Sequence, residues 1–124
     1  MGLEISSKRL EPDVVVLELT GRIVLGNESK DIESKLEECL RQNERKVVFD
    51  LSGVKYIDST GIGIIVSCHA KLKKSGGELR LAGTQGVVDQ VLKITNVHKV
   101  IGFYPTAAAA AEGFTPAPPS GPSA

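Results

Sequence analysis

The stretch that most limits the folds open to this chain is Lys46–Leu51, KVVFDL. Its apolar residues run on without the alternation of a half-exposed strand, which is the pattern of a strand buried on both faces. Such a strand predicts the centre of a sheet with helices layered on it. The flanking segments supply those parts. LEISSKRL and VVVLELTG are short runs with β-branched content, separated by the turn-prone EPD, and read as a hairpin. NESKDIESKLEECLRQNE sets Ile32, Leu36, Cys39 and Leu40 at helical spacing with charges opposite, and offers Asn27 or Ser29 as its cap. Further on, ELRLAG predicts a strand, VVDQVLKI a short helix, KVIGFYP a strand, and TAAAAAEG a last helix with Thr106 as cap and Gly113 as stop. The β-α-β-α-β order of the second half implies parallel strands joined by right-handed crossovers, and the opening hairpin makes the sheet mixed. The class is α/β.

At 124 residues the chain has room for one core. Its 15 basic and 15 acidic residues cancel, so no global field draws it to nucleic acid or to an anionic membrane. With aromatics at 4% and no tryptophan, stacking platforms for single-stranded nucleic acid are also scarce. The N-terminal MGLEISSKRL carries Glu4 and no long apolar run, neither a secretory leader nor a membrane span, which predicts a cytoplasmic protein. Cys39 and Cys68 stand singly within helix-like segments and read as reduced, partly buried thiols. From residue 115 onward TPAPPSGPSA has too much proline and too little to bury, so residues 115–124 are expected to be a flexible Pro/Ser/Ala-rich tail behind a domain of residues 1–114.

The stretch that asks for a functional explanation is YIDSTGIGII, Tyr56–Ile65. It lies where the central strand gives way to a helix carrying Ile62, Ile65, Cys68, His69 and Leu72 at three- and four-residue steps, closed by lysines and Ser75-Gly76-Gly77. Asp58, Ser59 or Thr60 each suit an N-cap, and capping explains one such residue. It explains less well why Gly61 and Gly63 follow inside the first helical turns, where each glycine costs about 1 kcal/mol against alanine. Small residues there allow another surface to come close to the backbone. A hydroxyl at a helix N-terminus is also a place where phosphate is put or held, because free N–H groups and the helix dipole favour an anion.

Catalytic readings fare worse. His69 is ten residues along the same helix from Ser59, about 15 Å at roughly 1.5 Å per residue, out of reach as a general base. The G-x-S-x-G elbow is absent. Gly61-Ile62-Gly63 lacks the third glycine of a dinucleotide fingerprint and the lysine of a P-loop. Gly83-Thr84-Gln85-Gly86 serves as a strand-to-helix turn, Lys71, Lys73 and Lys74 complement a helix C-terminus, and no metal-ligand spacing is present. No enzyme activity, cofactor or metal is expected.

VVFDLSGVKYIDSTGIGIIVSCHAKLKKSGGELRLAG, and above all Asp58-Ser59-Thr60-Gly61 followed by Ile62-Gly63, resembles the STAS domain of bacterial anti-sigma factor antagonists. The likeness extends from about Leu3 to Phe114, with GVVDQVLKITNVHKVIGFYPTAAAAAEGF similar to that family's closing helix, strand and helix. The resemblance implies a single mixed sheet with helices mainly on one face, and a regulatory binding module. It implies an anti-sigma factor serine kinase that phosphorylates Ser59, a PP2C-type phosphatase that reverses the modification, and a partner-binding surface of Asp58, Ser59, Thr60, Gly61, Ile62 and Gly63. Neither nucleic acid nor membrane is an expected partner. A STAS scaffold or a nucleotide-binding signalling module with a non-transcriptional output is the alternative within the same fold.

Overall fold

The computed structural model describes residues 3–11, 13–112 and 114; the expected tail and the Gly113 stop lie outside them. The elements are β1 (Leu3–Leu10), β2 (Val14–Ile23), α1 (Asn27–Arg41), β3 (Lys46–Ile57), α2 (Ser59–Lys74), β4 (Glu78–Ala82), α3 (Gly86–Ile94), a 3₁₀ turn (Val97–Lys99), β5 (Gly102–Tyr104) and α4 (Ala107–Glu112). The strands form one sheet in the order β1-β2-β3-β4-β5. β1 pairs antiparallel with β2, and every later pairing is parallel. β3 is therefore central and the sheet mixed, as its apolar run and the leading hairpin predict.

The pleat assigns the two faces. Val15, Leu17 and Leu19 of β2 and Val47, Phe49 and Leu51 of β3 join buried residues of α1, α2 and α3 in the main core. Val14, Val16 and Val48 point the other way, into a smaller cluster closed by Ala110 of α4 and by Phe114. Three helices thus cover one face and one short helix the other. Crossovers of one hand between strands laid down in order place every connecting helix on the same side. On the second face Arg80 is buried: Nε is 2.8 Å from Glu78 and Nη1 donates to the Ala110 carbonyl at 3.1 Å. Its guanidinium lies 4.2 Å from the Phe114 ring centre and 5.0 Å from that of Tyr104.

Two local expectations are corrected. Neither Asn27 nor Ser29 caps α1; the cap position is Gly26, and the buried Ser29 hydroxyl donates backward to the Val24 carbonyl. KVIGFYP is a strand only over Gly102–Tyr104. Asn96 takes a left-handed conformation, Val97–Lys99 forms the 3₁₀ turn, and Val97 and Ile101 are buried without strand pairing. The end of α2 follows the expected glycine stop: Gly76 has φ 85°, its N–H donates to the Lys73 carbonyl, and the Gly77 N–H donates to that of Leu72. That is a Schellman closure.

Candidate functional site

β4 pairs with β3 only as far as Asp50. Beyond it, the last residues of β3 are partnered by β2 alone, through Thr20–Gly53, Gly21–Val54, Arg22–Tyr56 and Ile23–Ile57. This two-stranded extension carries the chain directly into α2, and the candidate site is the junction. Asp58 is the cap: Oδ1 accepts the Gly61 N–H at 2.9 Å, and the Asp58 carbonyl accepts the Ile62 N–H at 3.0 Å. Its other oxygen, Oδ2, accepts the N–H of Leu25 at 3.1 Å. The Asp58 N–H in turn donates to the Ile23 carbonyl at 3.2 Å. One carboxylate therefore closes the helix and ties it to the loop between β2 and α1.

These donors also set its charge. The hydrogen bond from Gly61, foremost, and that from Leu25 hold the Asp58 carboxyl below the usual carboxylate range, against the opposing effect of burial. Because Asp58 does the capping, the Ser59 hydroxyl is not needed for it. Ser59 occupies the first helical position and is exposed. Thr60 and Ile62 are half-buried, with Ile62 packed against the main core.

The two glycines differ. Gly61 is buried, and a Cβ there would run into the Ile23 carbonyl, 2.7 Å from Ile57 Cγ1 and 2.8 Å from Ile23 Cγ2. The surface it admits is the end of β2 of its own domain. This corrects the reading of Gly61 as an opening for a partner. Gly63 is exposed and has open space beside it.

The remaining candidates lie elsewhere. His69 is half-buried within α2, and its Nδ1 is buried with no hydrogen-bond partner among the described residues. Burial first, and then the charge of Lys73, lowers its pKa. His98 sits in the 3₁₀ turn ahead of β5, with its ring edge-on to Phe103 at 6.3 Å. Since β5 runs parallel to β4 and β4 to β3, His98 is at the end of the sheet opposite Ser59. Gly83 and Gly86 take φ 72° and 59°, and Thr84 donates to Asp89 at 2.7 Å, the geometry of a strand-to-helix turn. Cys39 and Cys68 are buried free thiols, and burial pushes the Cys68 pKa up to about 12. Among the described residues no group of three acidic, histidine or cysteine side chains is placed to hold a metal ion, and no helix is long and apolar enough to cross a membrane. A cavity of about 370 Å³ between β1 and α1, lined by Arg9, Cys39 and Glu44 among others, also lies toward the end of the sheet away from Ser59.

Sequence reading missed one residue of the junction. Leu25 is 77% exposed, beside the helix start, although its backbone is bonded to Asp58. The only sequence signal was an aliphatic residue next to a glycine.

Comparison with known proteins agrees with this fold. The STAS domain family matches residues 7–110. A candidate anti-sigma factor antagonist of Thermotoga maritima is 29% identical over 104 residues, 84% of this chain and 92% of the relative. The crystal structure of a candidate anti-sigma factor antagonist from the same organism superposes at 29% identity with a TM-score of 0.79, covering 87% of this chain and 92% of the other. The anti-sigma F factor antagonist of Paenibacillus polymyxa is 22% identical over 93 residues, 73% of this chain and 78% of the relative. The anti-sigma factor antagonist SpoIIAA in its unphosphorylated form shares the fold at 16% identity and a TM-score of 0.73, over 91% of this chain and all of that one.

Proposed function

The chain belongs to the STAS domain family, and on that premise we propose that it is an anti-sigma factor antagonist controlled by reversible phosphorylation of Ser59. In this reading the unmodified protein captures an anti-sigma factor that is also a serine kinase, modification of Ser59 releases it, and a PP2C-type phosphatase restores the capturing form. The protein is a substrate and a binding module, with no catalytic role of its own. In this reading the domain runs to Phe114, whose ring packs on Arg80. The partner-binding surface centres on Ser59 and Gly63, with Asp58, Thr60 and Ile62 shaping it and Gly61 holding it from below.

The observation that carries the proposal is the division of labour at the start of α2. Asp58 makes the cap, which leaves an exposed hydroxyl beside it. A phosphate on Ser59 adds about −1.5 to −2 charges next to a carboxylate held ionised. Tenfold to hundredfold weaker capture requires about 1.4 to 2.8 kcal/mol, within reach of like-charge repulsion and desolvation at a close interface.

The test is incubation with ATP and each purified anti-sigma factor kinase of the source organism, followed by mass spectrometry. Label is expected on Ser59, with Ser59→Ala held persistently by the kinase and Ser59→Asp released. Label on another residue, or capture of Ser59→Asp as tight as that of the unmodified protein, contradicts the proposal.

A further inference from the structure

Leu25 is the apolar residue of the site that neither capping nor phosphorylation accounts for. Single exposed aliphatic residues are common on protein surfaces and need no function. Leu25 differs in how firmly its backbone is held while its side chain faces water. On one side Asp58 Oδ2 accepts its N–H. On the other, the Ser29 hydroxyl of α1 donates to the carbonyl of Val24, the residue before it. Immediately after it Gly26 takes φ 155° and ψ 172°, a conformation essentially confined to glycine, which turns the chain into α1 and leaves Leu25 at the tip. Behind the loop, the Ile23 carbonyl receives the Asp58 N–H and abuts Gly61. Two helices and a strand end thus brace a three-residue loop whose apolar side chain is 77% exposed.

We infer that Leu25 is an apolar anchor of the partner-binding surface, and that Asp58 is its positioning residue; the inference rests on the proposed capture by an anti-sigma factor kinase. The occupant it fits is an apolar pocket on the kinase, next to the cleft that takes the Ser59 hydroxyl, because the carboxylate that caps the Ser59 helix also fixes the Leu25 backbone. A rigid loop loses little conformational freedom when it binds, so the burial of the side chain goes largely into affinity. Clusters of a few such buried side chains dominate most interfaces.

The test is titration calorimetry of the purified full-length protein against the source organism's anti-sigma factor kinases, taken one at a time. Leu25→Ala should weaken binding by about tenfold to fiftyfold at an unchanged melting temperature, the effect of removing about two to three buried carbons. Leu25→Met should bind nearly as the unmodified protein does. Ile94→Ala, at a side chain 78% exposed on α3, is the control and should change nothing. Asp58→Asn should also weaken binding, because an amide nitrogen cannot accept the Leu25 N–H, whereas relief of charge repulsion alone predicts tighter binding. If Leu25→Ala binds like the unmodified protein while Ser59→Asp is released, the anchor is refuted and the proposed function stands. If no kinase binds, or neither variant matters, both are refuted. Self-association that depends on Leu25, in the absence of any kinase, also overturns the assignment.

Discussion

Alanine in place of Gly61 and in place of Gly63 should have opposite effects on stability. Both glycines lie in the first turns of α2, and in an exposed helix glycine-to-alanine gains about 0.5–1 kcal/mol. At Gly63 nothing lies within 4 Å of the added methyl, so that gain should appear in full. At Gly61 the methyl would sit 2.7 Å from Ile57 Cγ1 and 2.8 Å from Ile23 Cγ2 and meet the Ile23 carbonyl as well. Ile23 and Ile57 are both buried in the main core. Overpacking of this kind costs about 1–3 kcal/mol. The same displacement loosens the Ile23 carbonyl from the Asp58 N–H and disturbs a cap worth about 1 kcal/mol. After the propensity gain is subtracted, Gly61→Ala should be destabilised by about 1–3 kcal/mol, a fall of roughly 4–12 °C for a domain of this size. Urea unfolding followed by circular dichroism, with slopes compared to check for two-state behaviour, measures both variants. If Gly61→Ala is as stable as the parent, the close approach of α2 to the end of β2 is wrong.

Three other perturbations test the frame around the site. Asp58 has a folded pKa below its unfolded value, so its stabilising contribution is complete above about pH 3.9 and is lost as pH falls through the folded pKa; Asp58→Ala should lower stability at pH 7 by about 0.5–2 kcal/mol and flatten the acid limb of the stability curve. His69 is depressed too, but as a base, so the fold binds fewer protons than the unfolded chain just below the unfolded pKa near 6.5. Stability should therefore drop as pH goes from about 7 toward the lowered pKa, and His69→Gln should remove that part of the slope in pH-dependent melts. Truncation after Phe114 should change the denaturant midpoint energy by less than about 1 kcal/mol, whereas Arg80→Ala, which removes the group stacked on Phe114 and bonded to Ala110, should cost about 2 kcal/mol or more.

What could be read from the sequence was what depends on near neighbours. The apolar run of β3, the helical spacing of α1 and α2, the Ser75-Gly76-Gly77 stop and the Thr106 cap of α4, whose Oγ1 accepts the Ala109 N–H at 3.1 Å, all lie within a few residues of their cause. The capping residue of α2 was narrowed to three candidates and no further, since Asp58, Ser59 and Thr60 are all competent. The choice is made by Leu25, which sits 33 residues away and gives Asp58 a second donor. Gly61 shows the same limit. Its Cβ space is filled by Ile23, which the sequence separates from it but the parallel pairing of β2 with β3 brings back. The strand expected over KVIGFYP failed for a related reason: Val97 and Ile101 are apolar because they are buried in the main core beside the 3₁₀ turn, a role that hydrophobicity alone does not separate from strand pairing.

The position of the proposed acceptor follows from what its neighbours are already committed to. A phosphoryl group on the capping residue would remove the acceptor that closes α2 and braces the Leu25 loop, so a switch at residue 58 would act by damaging the fold. Residue 61 is buried against β2 and residue 60 is half-buried. Ser59 alone of these four is exposed and free of the cap. There the helix N-terminus favours an added anion by about 0.3–1 kcal/mol, so the domain should tolerate the modification with little change in stability. The Asp58 carboxylate, fixed beside it by Gly61 and Leu25, makes the new charge harder for a partner to accept. On the proposed reading, the carboxylate that holds the site rigid also sets the strength of the switch: Asp58→Asn removes the charge beside Ser59 and should reduce the penalty that phosphorylation imposes on capture.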